Sequence, residues 1–418
     1  ALIFIIGEEQ YPFVLQLDYN SVLACSHYLP VTYLPVSNSD KMAFCWILIF
    51  DLWLQTFRWI TSAGEDDIIV EKVLSKRIVT LNRPKVLNAL NFNMIRDLHQ
   101  LLKKWNNDER VSLVIVKGAG GKAFCAGGDV RAVCESAQAG SRASMHVDFF
   151  REEYELIHLI GTLRKPYISI MDGITMGAGC GLSVNGRYRV ATERTVLAMP
   201  EVAIGLFPSV GCSYSFPQLK NNLGLYMALT GFRLHGADAL HAGLATHLVN
   251  SGDIILLEKA LIDVEHPTGE AVDEILWRFQ PKEIPPFSLE EKMRAIKNAF
   301  KLKSIEEIIS KLEEQGDEWA METVTTLKNM SPTSLKVAIR QMERGARMPY
   351  ADVLQMEHRL ALRCMEAHDV HEGCRAIIVD KDNKPRWRPR TLEEVTDEHV
   401  ESFFAPLSSE DELILKEN

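Results

Sequence analysis

The sequence predicts an α/β core followed by a helical C-terminal region. Three observations carry that prediction. β-branched runs alternate with segments of helical period between residues 68 and 198. Residues 111–116 form a near-continuous apolar run, the pattern of a strand buried on both faces in a parallel sheet. After about Asn250 the composition shifts to Glu-Lys-Leu patterns punctuated by Pro285, Pro286 and Pro332.

Taken in order, residues 68–73 and 77–81 read as short β-branched strands. A helix follows Asn88, where Met94, Leu98, Leu101, Leu102 and Trp105 recur at helical spacing. The strand at 111–116 leads into a glycine-rich loop and a short helix after Asp129. Residues 149–163 form an amphipathic helix whose Leu156, Leu159 and Leu163 face the core. A strand at 167–171 runs into a second glycine-rich turn and a helix starting near Ala178, and strands follow at 187–191 and 196–198. Beyond them, helices are expected at 305–314, 317–329, 333–343 and 351–366, with Glu306, Glu307, Glu313 and Glu314 on a solvated face. The domain organisation expected is an unassigned segment 1–62, an α/β core 63–250 and a helical region 251–418.

The first 62 residues stand apart. The aromatic-rich stretch 42–60 is short for a membrane span, which takes about 20 apolar residues, and Asp51 interrupts it, so no stable span is expected. With only Lys41 and Arg58 as bases in the first 62 residues, an Arg-rich targeting signal is weakly expressed, and Met42 is a candidate internal start.

An apolar fraction of 47% supports a sizeable core. The net charge of -10 argues against a general nucleic-acid role, so a polyanionic ligand would need a local basic cluster. Eight cysteines are scattered with no C-x-x-C pair, which fits a reducing compartment and argues against a zinc ribbon. His368 and His371 lie three apart without a visible partner pair of ligands, so no metal is expected.

Two glycine-rich turns stand out, at residues 118–129 and 173–182. Each follows a strand and leads into a helix, where small residues admit a ligand to the backbone and unpaired N–H groups are available. Two such turns facing each other could supply two N–H donors to one oxygen, an oxyanion hole for a carbonyl that gains charge. Neither turn fits a P-loop, and the helix after the first begins too late for a dinucleotide fingerprint. The third element is Glu201, a charged residue in the apolar run 199–211. Either it lies on a surface loop, or it is buried with a raised pKa and a purpose.

Together these segments resemble the crotonase (enoyl-CoA hydratase/isomerase) superfamily. Leu81-Asn82-Arg83-Pro84-Lys85-Val86-Leu87-Asn88-Ala89-Leu90 resembles its N-terminal signature, and Lys122-Ala123-Phe124-Cys125-Ala126-Gly127-Gly128-Asp129 its first oxyanion turn. The glycine-rich turn near Ala178 resembles the second. Within the superfamily the chain is most similar to the 3-hydroxyisobutyryl-CoA hydrolase branch, through residues 150–154, 199–208, 330–336 and 368–387. The likeness spans roughly residues 66–405.

The resemblance implies a spiral of ββα turns and an acyl-CoA substrate, with CoA as part of the substrate and no further cofactor. It places the CoA adenine end near Lys85, Ala89, Leu90 and Asp129, and the thioester oxygen on the backbone N–H groups of Gly128 and Ala178. Glu201 becomes the main catalytic carboxylate, acting on water or directly on the thioester carbon, and Glu153 helps bind the acyl portion. The products would be 3-hydroxyisobutyrate and CoA, a step of valine breakdown, which implies the mitochondrial matrix. Many crotonases are trimers or paired trimers, so a homo-oligomer is within the expectation.

Departures from the family pattern matter. Where the family has Asp eight residues after its catalytic Glu, this chain has Ser209, so Ser209 takes that catalytic position without a negative charge. The family's central oxyanion glycine is Ala178, whose methyl could crowd the site or strain a positive-φ position. Residues 211–214 replace a more glycine-rich run, and Cys212 there has no activating histidine placed by the motif. Two other readings therefore stand beside the hydrolase: a CoA-binding protein with impaired chemistry, and a hydratase or isomerase. The last would carry a second Glu at the position held by Gly181.

Overall fold

The computed structural model describes residues 2–6, 13–17, 66–139 and 145–415. The chain divides into two compact units, residues 1–65 and 66–418. In the first, β1 (Leu2–Ile6) pairs antiparallel with β2 (Phe13–Leu17), Leu2 opposite Leu17. The aromatic-rich stretch 42–60 and the candidate start Met42 lie outside the described residues.

The second unit opens with a hairpin, β3 (Ile68–Val73) and β4 (Lys76–Leu81), and helix α1 (Phe92–Asn106). Asn91 caps α1 by accepting the Met94 N–H, and Met94, Ile95, Leu98, Leu102 and Trp105 form its buried face. Three ββα turns then follow: β5 (Leu113–Gly118), β6 (Ala123–Cys125) and α2 (Val130–Gln138), with α3 (Met145–Gly161) added before the next turn; β7 (Tyr167–Met171), β8 (Ile174–Met176) and α4 (Ala178–Val184); β9 (Tyr188–Ala191), β10 (Val196–Ala198) and α5 (Cys212–Ser215). In each turn the first strand joins one sheet and the second joins another. The larger sheet runs β12-β9-β7-β5-β4-β3 and the smaller β11-β10-β8-β6, completed by β11 (Leu234–His235) and β12 (His247–Leu248). The β4–β5, β5–β7 and β7–β9 pairings are parallel, which gives the chain its spiral course.

The strands β6 and β8 are three residues each and sit inside the glycine-rich segments, where the sequence reads as loop and turn. Their backbone hydrogen bonds are made with each other's sheet, so a run too short to alternate visibly is still a strand.

The helical part comprises α6 (Leu223–Thr230), α7 (Ala237–His241), α8 (Ile254–Asp263), α9 (Gly269–Phe279), α10 (Met293–Ala299) and α11 (Ile305–Gln315). It continues with α12 (Glu318–Asn329), α13 (Pro332–Gly345), α14 (Tyr350–Glu366), α15 (His368–Gly373) and α16 (Asp397–Phe404). Ser304, Asp317, Ser331 and Thr396 cap their helices through side-chain oxygens. One core spreads from α1 and α3 through the helical region, where α14 lies on α3 and α13 on α5; a second, smaller one packs α8 and α9 on the other face of the large sheet. Among the described residues no helix is long and apolar enough to cross a membrane.

Candidate active site

The two glycine-rich turns meet. Gly127 sits at φ +121° and Gly177 at φ +51°, and a methyl group on Gly177 would lie 3.4 Å from the Gly127 Cα. A methyl group on Gly179 would strike the Cys125 carbonyl oxygen at 2.2 Å, so only glycine lets the start of α4 lie against β6. Next along the chain from the facing pair come Gly128 and Ala178. The bridge between Leu90 and Gly128 uses the Leu90 N–H to Gly127 O (2.8 Å) and the Asp129 N–H to Leu90 O (2.8 Å), leaving the Gly128 N–H pointing the other way. Ala178 is the first residue of α4. Among the described residues neither the Gly128 N–H nor the Ala178 N–H has an acceptor.

Ala178 is not at positive φ; the strained residue is Gly177 just before it. The methyl of Ala178 is buried, at 5% exposure, and the donor is retained without backbone cost. The expected strain at this position is thus displaced by one residue.

Glu201 is buried. It opens a 3₁₀ turn, Glu201–Ile204, directly after β10 and Pro200, and a methyl on Gly177 would lie 3.1 Å from its Oε1. Its Oε2 is buried with no hydrogen-bond partner among the described residues. Burial pushes its carboxyl up to about 8, with added repulsion from Glu153 and Glu357. The surface-loop alternative is therefore set aside. The turn is held from behind by the helical region: the Ser331 N–H donates to Val202 O at 3.3 Å, and Gly205 (φ +74°) packs so closely on Asp369 that a Cβ would lie 2.3 Å from its carbonyl carbon.

Glu153 projects from α3 and is also buried; burial, then Glu357, pushes it up to about 8. Ser209 is half-buried, and its carbonyl accepts the Cys212 N–H at 3.2 Å. The next residue, Val210, holds φ +56°, an uncommon conformation for a β-branched side chain. Cys212 is buried, and burial pushes its thiol well above the ordinary range, so it is a poor nucleophile.

The segments expected to take CoA also come together. Lys85 is exposed on the turn Pro84–Val86. Arg83 donates to Ala89 O (2.8 Å) and to the Asp129 carboxylate (3.3 Å), tying the 85–90 segment to the first glycine-rich turn. Asn88, wholly buried at φ +57°, donates to Ala119 O and Ala123 O, both at 2.9 Å, and accepts the Arg83 N–H at 3.0 Å. His368 and His371 each bond a backbone carbonyl, of Arg386 and Met365 respectively.

Glu357 is the residue that sequence reasoning missed. It lies on α14, wholly buried, and its two oxygens accept the Gly211 N–H (2.7 Å) and the Ser213 N–H (2.8 Å). Burial pushes it up to about 7 against those donors. One signal was available: Val353, Leu354, Leu360, Ala361 and Cys364 make the apolar stripe of that helix, and Glu357 sits in its middle.

At the position of a hydratase's second carboxylate, Gly181 faces filled space. A Cβ there would lie 2.7 Å from both Ile157 Cδ1 and Val210 Cβ.

Residues 76–404 match the family model described as enoyl-CoA hydratase/isomerase. The chain belongs to the enoyl-CoA hydratase/isomerase family. It is 49% identical over 362 residues to the mitochondrial 3-hydroxyisobutyryl-CoA hydrolase of Gallus gallus, covering 86% of this chain and 93% of that protein. To the mitochondrial 3-hydroxyisobutyryl-CoA hydrolase of Xenopus laevis it is 51% identical over 338 residues, covering 80% of this chain and 87% of that protein. Among solved structures, a carnitinyl-CoA dehydratase from Mycobacterium thermoresistibile superposes with a TM-score of 0.78 at 37% identity, over 84% of this chain and 99% of that one. The crotonase fold is thereby established. Because the fold is shared by proteins named for different reactions, the reaction has to be argued from the site.

Proposed function

We propose that this protein hydrolyses an acyl-CoA thioester, 3-hydroxyisobutyryl-CoA, to 3-hydroxyisobutyrate and CoA in the mitochondrial matrix, as a step of valine breakdown. The observation that carries the reading is Glu201: a buried carboxyl with one oxygen unpartnered among the described residues, set beside two facing backbone turns whose Gly128 and Ala178 N–H groups likewise lack acceptors among the described residues. The names of the relatives give the acyl group and the compartment.

In this reading the thioester oxygen accepts from Gly128 and Ala178, which stabilise the oxyanion that forms at the carbonyl. Glu201 takes a proton from water as water adds to the carbon, or adds to the carbon itself before water releases the acid. The proton then leaves with the CoA sulfur. A group whose carboxyl is held near 8 suits both taking and returning a proton close to neutral pH. Glu153 lines the acyl side, and Lys85, Ala89, Leu90 and Asp129 lie along the CoA side.

Ser209 is the specific observation behind a second reading. It offers a hydroxyl that can orient water but cannot ionise near neutral pH. A chain that binds CoA esters with slow or no turnover follows from that substitution. The hydratase reading is weaker, because Gly181 has no room for a side chain.

The test is thiol release from 3-hydroxyisobutyryl-CoA by the full chain, with Glu201→Gln and Ser209→Asp alongside. The expected result is turnover that falls ~10²–10⁴-fold in Glu201→Gln and rises in Ser209→Asp. A silent parent rescued by Ser209→Asp would mean the impaired reading; silence in all three would sink the hydrolase.

A further inference from the structure

The segment that presents Ser209 is anchored both from the helical region and from Asn185 at the end of α4. Gln341 on α13, fully buried, donates its Nε2 to Pro208 O at 2.6 Å and to Ser213 Oγ at 3.2 Å. Asn185 donates to Val210 O at 2.9 Å and to Gly181 O at 3.0 Å. Glu357 on α14 accepts the Gly211 and Ser213 N–H groups, one on each oxygen. Between these anchors Val210 is held at φ +56° and Gly211 at φ +90°. A β-branched residue keeps such a conformation only where its surroundings over-determine it.

The choice of a carboxylate for this anchor is informative. Two converging N–H donors need two acceptors, and a glutamine side chain offers one; its NH₂ would face an N–H. A buried carboxylate also repels other buried carboxylates, a cost that a purely structural tie could avoid. The ionisable groups that feel its charge are Glu153 and Tyr154 on α3, Glu201 after β10, Cys212 on α5 and Tyr350 on its own helix.

We propose that Glu357 is a positioning residue for the thioester reaction, fixing from α14 the 208–213 loop that carries Ser209 and bringing a buried negative charge to bear on the site. This rests on the hydrolase reading above. The helical region is thereby part of the active site's construction rather than a cover over it.

Glu357→Gln in the full chain tests this. It removes one of the two hydrogen bonds that Glu357 makes to the loop, and the negative charge. The expected kcat falls by about tenfold to a hundredfold, the size of effect that a small misplacement of a site causes, while KM for the acyl-CoA moves little. With the repulsion gone, Glu201 gives up its proton at lower pH, so the acid limb of the kcat profile shifts to lower pH. Gln341→Met, which removes a neutral anchor of the same loop, is expected to lower kcat with the acid limb unmoved, and Glu357→Asp should restore the limb but not the rate. A folded Glu357→Gln chain with unchanged kcat, or with lowered kcat and an unmoved limb, overturns the proposal. If that variant fails to fold, an unaltered kcat in Gln341→Met overturns it. A parent without thioesterase activity sinks the hydrolase reading and this proposal together, whereas an active parent with an indifferent Glu357→Gln sinks only this proposal.

Discussion

Replacing Glu201 with Gln should shift stability in favour of the variant as pH rises. Burial raises the Glu201 carboxyl from its ordinary 4.5 to about 8. The folded chain therefore holds this proton more tightly than the unfolded chain does. The stability it contributes is fully present below pH 4.5 and is lost as pH rises towards and through 8. Over the whole window the loss is about 5 kcal/mol, and by pH 7 about 3 kcal/mol has gone, against about 1 kcal/mol at pH 5. Glutamine is neutral at every pH and escapes this loss. Its NH₂ would occupy the buried position of Oε2, which has no hydrogen-bond partner among the described residues, at a cost of about 1–3 kcal/mol that does not vary with pH. The sign of the difference at any one pH is thus less informative than its slope. Urea unfolding of both proteins at pH 5, 6, 7 and 8 measures it: the variant should gain about 2–3 kcal/mol on the parent between pH 5 and 7. Glu153 and Glu357 are present in both proteins, so their own titration largely cancels. Stability curves that run parallel across that range would refute the claim that Glu201 is a buried, proton-holding group, and with it the basis of its catalytic assignment.

Two further outcomes are expected. Gly181→Glu should give little folded protein and no hydration of crotonyl-CoA, because the first carbon of the new side chain would lie 2.7 Å from Ile157 and Val210; overpacking alone costs about 1–3 kcal/mol, and soluble yield with the hydration assay reads both. Asn88→Ala should cost about 3 kcal/mol in urea unfolding, since two carbonyls and one N–H lose their partner and a non-glycine methyl residue is left at φ +57°; a loss under about 0.5 kcal/mol would mean that the first turn is held by other contacts.

Much of this molecule can be read from its chain in order. The strand at 167–171 and the helices along 92–106 and 350–366 announce themselves through apolar period, and the glycine-rich turns through composition. The motifs at 81–90, 122–129 and 199–208 fix the family because each is local: a few consecutive residues whose spacing along the backbone is the whole of the signal. Glu201 could be singled out as a charge in an apolar run, yet its burial could not be read, because the groups that act on it, Gly177, Glu153 and Glu357, come from separate parts of the chain. The strands β6 and β8 also escape notice, since three residues define no alternation and only their neighbours' hydrogen bonds make them strands.

The sequence by itself thus determined the α/β core, the helical continuation, the family and the identity of the facing turns. Tertiary structure decided which groups share one environment. It brought Gly127 against Gly177, moved the backbone strain from Ala178 to the glycine before it, filled the space at Gly181, and carried Glu357 from a helix some 150 residues away onto the loop of Ser209. The physical reason is that periodicity and turn chemistry are written along the backbone, whereas desolvation, charge repulsion and paired hydrogen-bond anchors act through space and depend on what the fold places opposite.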